Sequence, residues 1–308
     1  MTEPVLDEAV KASADLIISY HPPLFRPFKR LTSKSWKERI AVKCIEERIA
    51  LFSPHTSWDA VPGGINTWLL APYGPGHSAP VSPASSKAWP GGVSHSVSVQ
   101  GVPLSTDQLS PLLALPDISL SLDSTALSVG CSKVKSVFCM SALMKTNVQG
   151  QLSSVISSLP DDLQPHVRIT EHIKPPLEDT GSGRILKLDT PLTVAEAVQR
   201  TKTHLKMPHL RLALAQGAQM TSEVRSIGVC AGSGGSVLAG VKADLIVTGE
   251  MSHHEVLDFV AGGVTVILAD HSNTERGYLT EVRQRLGAML EGVEIVLSSV
   301  DRDPLEIV

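Results

Sequence analysis

Three apolar segments of this chain each end at a histidine, and two carboxylates follow at matching spacings. The histidines are His21, His55 and His271, while Asp59 lies four residues after His55 and Glu275 four residues after His271. Imidazole nitrogens and carboxylate oxygens are the usual protein ligands of zinc and related divalent cations. The sequence therefore predicts a metal site built from His21, Asp59, His271 and Glu275, with His55 beside it.

Short runs of Ile, Val and Leu precede all three histidines. Runs of this length and composition predict buried parallel strands, which places the protein in the α/β class. Ligands of open α/β sheets gather outside the carboxyl ends of such strands. Three imidazoles at strand ends are therefore expected to face one crevice.

Glu275 has two interpretations that the sequence leaves open. A helix beginning at this point puts His271 and Glu275, four residues apart, on one face, where both can reach the same cation. The segment Ser272-Asn273-Thr274-Glu275 also fits a capping box, in which the Glu275 side chain accepts a hydrogen bond from the Ser272 amide. For His21 and the His55/Asp59 pair the simple alternative is an ordinary structural role.

Two further segments carry polar groups that could take part in chemistry. Thr248 to Glu255 places Glu250 and His253 after an apolar strand, and the zincin pattern H-E-x-x-H is excluded because Asp258 occupies its last position. We predict His55, His253 and Glu250 as candidate proton-transfer groups.

The segment Gly232-Ser233-Gly234-Gly235-Ser236 follows a strand and opens a short helix. Its amides could hold an anion at a helix N-terminus, or the segment could be a tight turn without a ligand. It lacks the spacing of either glycine-rich phosphate-binding motif, which favours the turn.

Composition narrows the class of protein. A formal net charge of −4 argues against an extended nucleic-acid footprint, although it leaves room for a local basic patch. The 4 cysteines form no C-x-x-C pair and the chain has no N-glycosylation sequon, which favours a reducing, intracellular setting. No apolar run approaches the ~18 residues of a membrane span.

A chain of 308 residues predicts about two domains. A weak repeat of Ala14 to Ser19 in Ala243 to Thr248 suggests that two α/β halves are related. We expect two related α/β domains with a small α+β insert and a discontinuous first domain. The expected ranges are a first domain at 1–70, a Pro/Gly/Ser-rich loop at 71–110, the insert at 111–185, the second domain at 186–270 and a return to the first domain at 271–308.

Within these ranges, strands are expected near 120–122, 134–138 and 166–173, and a helix from Leu143 to Leu159. Thr193-Val194-Ala195-Glu196 predicts a capping box that starts a helix running to about Lys206. Further strands are expected at 210–215 and 224–231.

Several motifs, in this order, resemble the NIF-three-like family, which is named for interaction with the yeast transcription adaptor NGG. The resemblance extends over the whole chain and is nearest to the animal members. The residues that carry it are Ile18-Ser19-Tyr20-His21-Pro22-Pro23, Ser53-Pro54-His55-Thr56-Ser57-Trp58-Asp59, Gly63-Gly64-Ile65-Asn66, Thr248-Gly249-Glu250-Met251-Ser252-His253-His254, Asp270-His271-Ser272-Asn273-Thr274-Glu275-Arg276-Gly277-Tyr278 and Asp301-Arg302-Asp303-Pro304.

The resemblance implies two related α/β domains and a pair of divalent metals. Carried over, the ligands are His21, Asp59, His271 and Glu275, and the first histidine of an adjacent pair falls on Tyr20. A phenol with a reference pKa of ~10 binds most divalent metals poorly, so we expect one or two ions (Zn, Mn, Fe or Co) per chain. The family also has about two more secondary-structure units, including a strand, before the point that matches Met1, which implies a shortened start here.

Two hypotheses about function follow. The first is a metal-dependent hydrolase acting on a small phosphorylated or nucleotide-like substrate; a GTP cyclohydrolase label comes from the resemblance alone. The second is a non-catalytic, metal-stabilised scaffold that acts as a transcriptional cofactor. The expected partners are further copies of the chain and transcription or signalling proteins, without direct nucleic-acid or membrane binding, in the cytoplasm and also the nucleus.

Overall fold

The computed structural model describes most of the chain and divides it into two compact units. The first unit comprises Met1–Ala84 and Glu178–Val308, and the second comprises Ser85–Leu177. No helix in the described part of the chain is long and apolar enough to cross a membrane. The described residues are 1–27, 29–89, 95–99, 118–122, 136–140, 150, 153, 156–157, 161–162 and 164–306.

The first unit begins with two helices packed on a pair of parallel strands. Strand β1 (Leu16–Ile18) pairs with β2 (Ala50–Phe52), and helices α1 (Glu3–Lys11) and α2 (Trp36–Glu46) alternate with them along the chain. The parallel pairing was predicted. The expected burial is only partial, because the helices cover Ile17 and Leu51 while Leu16 and Phe52 remain exposed. The buried residues of this cluster are Leu6, Ile17, Ile40, Cys44 and Ile49.

A six-stranded mixed sheet forms the centre of the first unit. Its order is β3-β8-β10-β11-β12-β9; β10, β11 and β12 are parallel, β8 is antiparallel to β10, and β9 is antiparallel to β12. The strands are β3 (Gly76–Ser85), β8 (Pro176–Thr193), β9 (Arg211–Ala213), β10 (Glu223–Ser233), β11 (Leu245–Glu250) and β12 (Thr265–Leu268).

Both faces of this sheet are covered, which explains why its central strands are apolar throughout. Leu245 and Val247 belong to one buried cluster, whereas Ile246 between them belongs to a second cluster. Successive side chains of a strand point to opposite faces, so a strand covered on both sides requires an unbroken apolar run. The α/β class expected from these runs is confirmed.

The remaining helices of this unit are mostly short. The capping box predicted at Thr193 and Glu196 is present and starts α5, which ends at Leu205. A second capping box joins Ser252 and Glu255 at the start of α7. The helices are α3 (Thr56–Ala60), α4 (Ile65–Leu70), α5 (Val194–Leu205), α6 (Gly235–Leu238), α7 (His253–Ala261), α8 (Asn273–Arg276) and α9 (Tyr278–Met289).

The loop expected at residues 71–110 is wrong in part. Ala71–Tyr73 forms a 3₁₀ turn and Gly76–Ser85 forms β3, despite Pro80 and Pro83. Strand β3 lies at the edge of the sheet, where a proline costs no ladder hydrogen bond if its nitrogen faces outward. Proline content therefore signalled an edge strand at this position.

The second unit contains a four-stranded antiparallel sheet of order β5-β6-β4-β7. Three of its strands lie close to the predicted positions, and the fourth, β4, falls within the range expected to be a loop. The strands are β4 (His95–Val99), β5 (Ile118–Leu122), β6 (Ser136–Met140) and β7 (Val167–Glu171). Most of the helix expected from Leu143 to Leu159 lies outside the described residues. The relation between two α/β halves stays a prediction.

Candidate metal centre

The three strand-end histidines meet in one place within the first unit. His21 follows β1, His55 follows β2 and His271 follows β12. The ring centroids of His21 and His271 lie 5.3 Å apart, and those of His21 and His55 lie 5.6 Å apart. His21 is therefore the central ring of the three.

Glu275 lies between two of these rings. Its Oε1 is 3.3 Å from Nε2 of His271, and its Oε2 is 3.4 Å from Nε2 of His21. The Glu275 side chain is only 6 % exposed, and its buried Oε2 has no hydrogen-bond partner within the part of the chain that the structure describes. A buried carboxylate oxygen without a partner is costly, unless a cation or a donor approaches it.

The capping alternative for Glu275 is excluded by the partners of Ser272. Ser272 makes no side-chain capping bond at the start of α8. Its hydroxyl instead donates to a carboxylate oxygen of Asp303 and accepts from Nη2 of Arg276 at 2.9 Å. Arg276 also pairs with Asp301 at 2.9 Å, so the C-terminal segment holds α8 in place. Glu275 is thereby directed towards the histidines.

Glu250, at the end of β11, orients His271. Its Oε1 lies 2.7 Å from Nδ1 of His271, which leaves Nε2 of the same ring facing Glu275. A carboxylate that binds the outer nitrogen fixes the tautomer and the ring orientation of a ligating histidine. Of the three candidate proton-transfer groups, Glu250 is thus the one whose carboxylate contacts a neighbouring imidazole.

The charges of the site are coupled. The pKa of His271 is raised to about 9, mainly by its interaction with Glu275. Burial acts in the opposite direction, and the nearby Glu250 raises this pKa as well. Burial by itself raises the pKa of Glu275. The two neighbouring imidazoles lower this pKa by more than burial raises it, so the net shift is downward. The site therefore favours a negative carboxylate that faces positive charge.

Asp59 is turned towards Tyr20. Its Oδ1 accepts a 2.6 Å hydrogen bond from the Tyr20 hydroxyl, and it lies outside the group whose ligand atoms are mutually within 4.8 Å, namely His21, His271 and Glu275. Burial and the bond to Asp59 raise the pKa of Tyr20, so this residue stays a neutral phenol. Burial also raises the pKa of Asp59. Ligation of a cation by Asp59 stays a prediction.

The other two candidate groups occupy different positions. His55 packs its ring against Tyr20 and Phe25, at 5.7 and 5.9 Å between centroids, and its own backbone has a φ of 45°. His253 begins α7, where its ring neighbour is His254, and it lines a groove of about 260 Å³ with Arg211 and Met251. Of the two, the structure brings His55 to the other histidines.

Gly232 allows the sheet to approach the ligand atoms. It has a φ of +64°, and a Cβ at this position would lie 2.6 Å from Oε1 of Glu275 and 2.9 Å from Nε2 of His271. Only glycine combines this backbone conformation with so close an approach. A larger residue would displace one of the two side chains.

Two amides of the glycine-rich turn are used within the fold. The Gly232 amide donates to Oγ1 of Thr274 at 2.8 Å, and the Gly234 amide donates to Oγ1 of Thr248 at 3.1 Å. These two groups are therefore not free to hold an anion. The interpretation of this segment as a tight turn is the one that the geometry favours.

Sequence reasoning assigned no role to three buried residues that support the site, Asn66, Thr248 and Thr274. Asn66 donates to the Asp59 carbonyl at 3.0 Å and accepts from the Ala231 amide at 2.9 Å, which joins the Asp59 segment to the end of β10. Thr274 also donates to the His271 carbonyl at 2.7 Å. All three lie within motifs already singled out, but only Thr248, between Val247 and Gly249, stands out as a polar residue in an apolar or glycine context.

The donor set fits a divalent cation. Two imidazole nitrogens and a carboxylate suit Zn, Mn, Fe or Co. One ligand atom from each of His21, His271 and Glu275 lies within 4.8 Å of the others, and each imidazole faces a different oxygen of the Glu275 carboxylate, at 3.4 and 3.3 Å. Glu275, with its unpartnered oxygen, would complete such a centre.

Comparison with known proteins identifies relatives along nearly the whole chain. Residues 1–304 match the family model described as Duf34/NIF3 (NGG1p interacting factor 3). NIF3-like protein 1 of Rattus norvegicus is 42% identical over 311 residues, which cover 100% of this chain and 81% of the relative. NIF3-like protein 1 of Homo sapiens is 40% identical over 312 residues, with the same coverage.

A solved structure supports the fold. The crystal structure of a Bacillus cereus protein related to NIF3 matches with a TM-score of 0.61 at 22% identity, covering 100% of this chain and 87% of that one. At this level of identity the likeness concerns the fold alone.

Proposed function

This chain belongs to the Duf34/NIF3 family, and we propose that it binds a divalent metal through His21, His271 and Glu275 and acts as a metal-dependent hydrolase. One observation carries the proposal. The buried Oε2 of Glu275 has no hydrogen-bond partner among the described residues, although two imidazoles flank its carboxylate. A cation between these atoms would satisfy that oxygen.

Under this proposal the residues of the site have three roles: metal binding, positioning of a ligand and proton transfer. His21, His271 and Glu275 hold the cation, and Glu250 positions His271 through its outer nitrogen. His55 is the proposed proton-transfer group because its ring lies 5.6 Å from that of His21. A bound divalent cation supplies Lewis acidity, which polarises a phosphoryl oxygen and lowers the pKa of water towards ~7.

The proposed substrate is a small phosphorylated or nucleotide-like molecule. The half-buried His21 and His271 leave the centre open to solvent on one side, with side-chain exposures of 41 % and 39 %. A catalytic metal site keeps such an open position, whereas a structural site is closed. His253 stays a second candidate for proton transfer, from the groove beside α7.

Metal analysis tests the binding part of the proposal. The chain is stripped with a chelator, loaded separately with Zn, Mn, Fe or Co, dialysed and analysed for bound metal. We expect the wild type to retain metal, and His21→Ala and Glu275→Gln to lose most of it. The control is His209→Ala, which removes an exposed histidine far along the chain from these motifs. Equal retention in all four proteins would contradict the proposed centre.

A turnover screen tests the catalytic part. Loaded and stripped protein are incubated with nucleotides and simple phosphoesters, and product is followed by phosphate release and chromatography. We expect metal-dependent turnover that His55→Ala lowers while metal content is unchanged. Retained metal without turnover of any phosphoester would contradict the hydrolase and leave the metal site intact.

A scaffold is the second candidate, favoured by the hydrogen bond between Tyr20 and Asp59. This bond occupies Oδ1 of Asp59, one of the two oxygens that the carboxylate could offer to a cation. The family is described by interaction with NGG1p, which suggests transcription proteins as partners and a nuclear as well as cytoplasmic location. In that case, removing metal should lower the unfolding temperature and partner binding together, and no substrate should turn over.

We also propose a homo-oligomer, on the strength of the family resemblance. Two-stranded sheets with exposed apolar residues are marginal alone, and Leu16 and Phe52 on β1 and β2 are 51% and 56% exposed. Light scattering tests this point. A mass near the 32.8 kDa of one chain at micromolar concentration would contradict it.

A further inference from the structure

A basic surface segment lies between β1 and α2. Residues 25–37, here called the basic segment, contain five Lys or Arg residues and no Asp or Glu, although the whole chain has a net charge of −4. All five basic side chains are exposed. Positive charge is thus concentrated on one short stretch of an acidic protein. The five residues are Arg26, Lys29, Arg30, Lys34 and Lys37.

These charges are not neutralised within the described part of the chain, where none of the five forms an ion pair. Arg39, by contrast, pairs with Glu3 at 2.7 Å. Arg39 also donates from Nη1 to the carbonyls of Ser33 and Lys34, each at 3.4 Å, which holds the backbone of the segment. The Lys37 ammonium lies 5.4 Å from the centroid of the Trp36 ring. The segment therefore has an anchored backbone and cationic side chains without carboxylate partners among the described residues.

Two of the basic residues line a groove at the start of α2. Arg30 and Lys34 border a space of about 400 Å³ together with Thr32, Ser35 and Glu38. The Glu38 carboxylate accepts a hydrogen bond from the Thr32 hydroxyl, and the Ser35 hydroxyl accepts from the Glu38 amide. The acidic residue of the groove is thus engaged in local bonds, which leaves the two cations to face solvent.

Exposed aromatic rings flank the charges. Phe25 is 69% exposed at one end of the segment and Trp36 is 43% exposed at the other. The Phe25 ring also contacts His55, at 5.9 Å between centroids, so the segment begins beside the histidine cluster. Cations that bind phosphates, combined with aromatic faces on which bases stack, are the two elements of single-strand recognition.

We propose that the basic segment binds single-stranded nucleic acid. Arg30 and Lys34 contact phosphates in the groove, and Phe25 stacks on a base. The net charge of −4 for the whole chain argues against an extended nucleic-acid-binding surface. The surface proposed here is confined to the basic segment. An anionic membrane is less well suited, because no helix is described between Phe25 and Ser35, so this stretch presents no amphipathic helix face.

Fluorescence anisotropy of a labelled oligothymidylate of about twelve nucleotides tests the proposal. Binding is measured in the presence of a chelator, so that it does not depend on the metal. We expect Arg30→Ala/Lys34→Ala to weaken binding and to reduce the slope of log affinity against log salt by about 1.4, or ~0.7 for each lost phosphate contact. The control, Lys11→Ala/Lys242→Ala, removes two exposed lysines outside the segment and should leave the slope unchanged.

The aromatic contribution is tested separately with Phe25→Leu. This change keeps an apolar side chain but removes the ring, and we expect it to weaken binding by about 5- to 150-fold. An abasic oligonucleotide with the same number of phosphates should bind as weakly to the wild type. Equal affinity for the abasic and the thymidine strand would overturn the proposal in favour of a plain polyanion site.

Two more outcomes would also overturn it. One is the absence of oligonucleotide binding by the wild type at about 50 mM salt, where electrostatic contacts are strong. The other is cosedimentation with phosphatidylserine vesicles that depends on Arg30 and Lys34 without any oligonucleotide binding. His21→Ala separates the two proposals, because it should lose metal but still bind the oligonucleotide.

Discussion

Tyr20 donates a 2.6 Å hydrogen bond from its hydroxyl to Oδ1 of Asp59, 39 residues along the chain. The bond joins a neutral phenol to a carboxylate beside the histidine cluster. Tyr20 stands where the family resemblance implies the first of two adjacent histidine ligands. A phenol whose pKa is raised by burial offers no anionic oxygen to a cation. We therefore propose that the second metal implied by the resemblance would lack one ligand here.

Tyr20→His should raise the number of metals bound per chain. Neutral imidazole is a much better ligand at pH 7 than a protonated phenol, and the change also releases Oδ1 of Asp59. We expect the wild type to hold fewer than two metals per chain and the variant to hold more after identical loading. Metal analysis of both proteins measures this directly.

Tyr20→Phe is the matched control for that experiment. It releases Asp59 without adding a ligand, so its metal content should stay below that of Tyr20→His. If the wild type already holds two metals tightly, then Tyr20 or another group such as His55 fills the gap, and the view of a reduced site is wrong.

Gly232→Ala should weaken metal binding in addition to lowering the stability of the fold. Its Cβ would lie 2.6 Å from Oε1 of Glu275, which forces that side chain to move. Gly240→Ala is the control, since Gly240 has a similar φ of +74° and nothing within 4 Å of an added Cβ. Both variants should lose about 1–2 kcal/mol of unfolding free energy from left-handed strain. Only Gly232→Ala should also lose metal affinity, as measured by calorimetric titration. Equal metal affinities of Gly232→Ala and Gly240→Ala would contradict the prediction.

The meeting of the histidines was predictable in part. An apolar run followed by His21, His55 or His271 identifies a strand end, and the parallel strands β1 and β2 share a carboxyl edge that brings His21 and His55 together. His271 follows β12 of a different sheet, so its approach to His21 depends on the packing of the fold. The role of Glu275 was not decidable from the sequence. Its alternative as a cap depended on Ser272, whose partner Asp303 lies 31 residues away.

Other features of the site and the fold could not be predicted from the sequence, because they depend on contacts between residues far apart in the chain. Tyr20 could be recognised as an unusual residue at its position, but its bond to Asp59 required the fold. Glu250 was singled out as a proton-transfer candidate, whereas its contact with His271 across 21 residues indicates a positioning role. Strand β3 was missed because prolines indicate a loop unless the strand is known to lie at an edge.

Glu8 should make stability depend on pH in the acid range. Its carboxylate accepts bonds from the hydroxyls of Ser298 and Ser299, which lower its pKa from 4.5 to about 2. These bonds favour the charged form, so their contribution is complete above pH 4.5 and is lost as pH falls towards about 2. Wild type should therefore be more stable than Glu8→Gln at pH 7, by a small amount that salt reduces.

Denaturant unfolding of both proteins from neutral pH to pH 2 checks this prediction. The difference in unfolding free energy should narrow across the window from pH 4.5 to about 2. Glu291→Gln, at an exposed glutamate elsewhere in the chain, is the control for the substitution itself. A constant difference between wild type and Glu8→Gln at every pH would contradict the assignment.

Glu250→Ala should lower metal affinity although Glu250 is not a proposed ligand. Its carboxylate holds Nδ1 of His271 at 2.7 Å, and without it the ring is free to rotate or to adopt the other tautomer. Loss of such a partner typically costs 10–100-fold in metal affinity.

Glu223→Ala is a close control, because Glu223 is 53 % exposed against 52 % for Glu250 and its oxygen pairs with Arg225 at 2.7 Å. Calorimetric titration should show a loss for Glu250→Ala alone, and Glu250→Gln should recover part of it because the amide oxygen still accepts from Nδ1. Equal affinities of Glu250→Ala and Glu223→Ala would show that His271 is oriented by its other contacts.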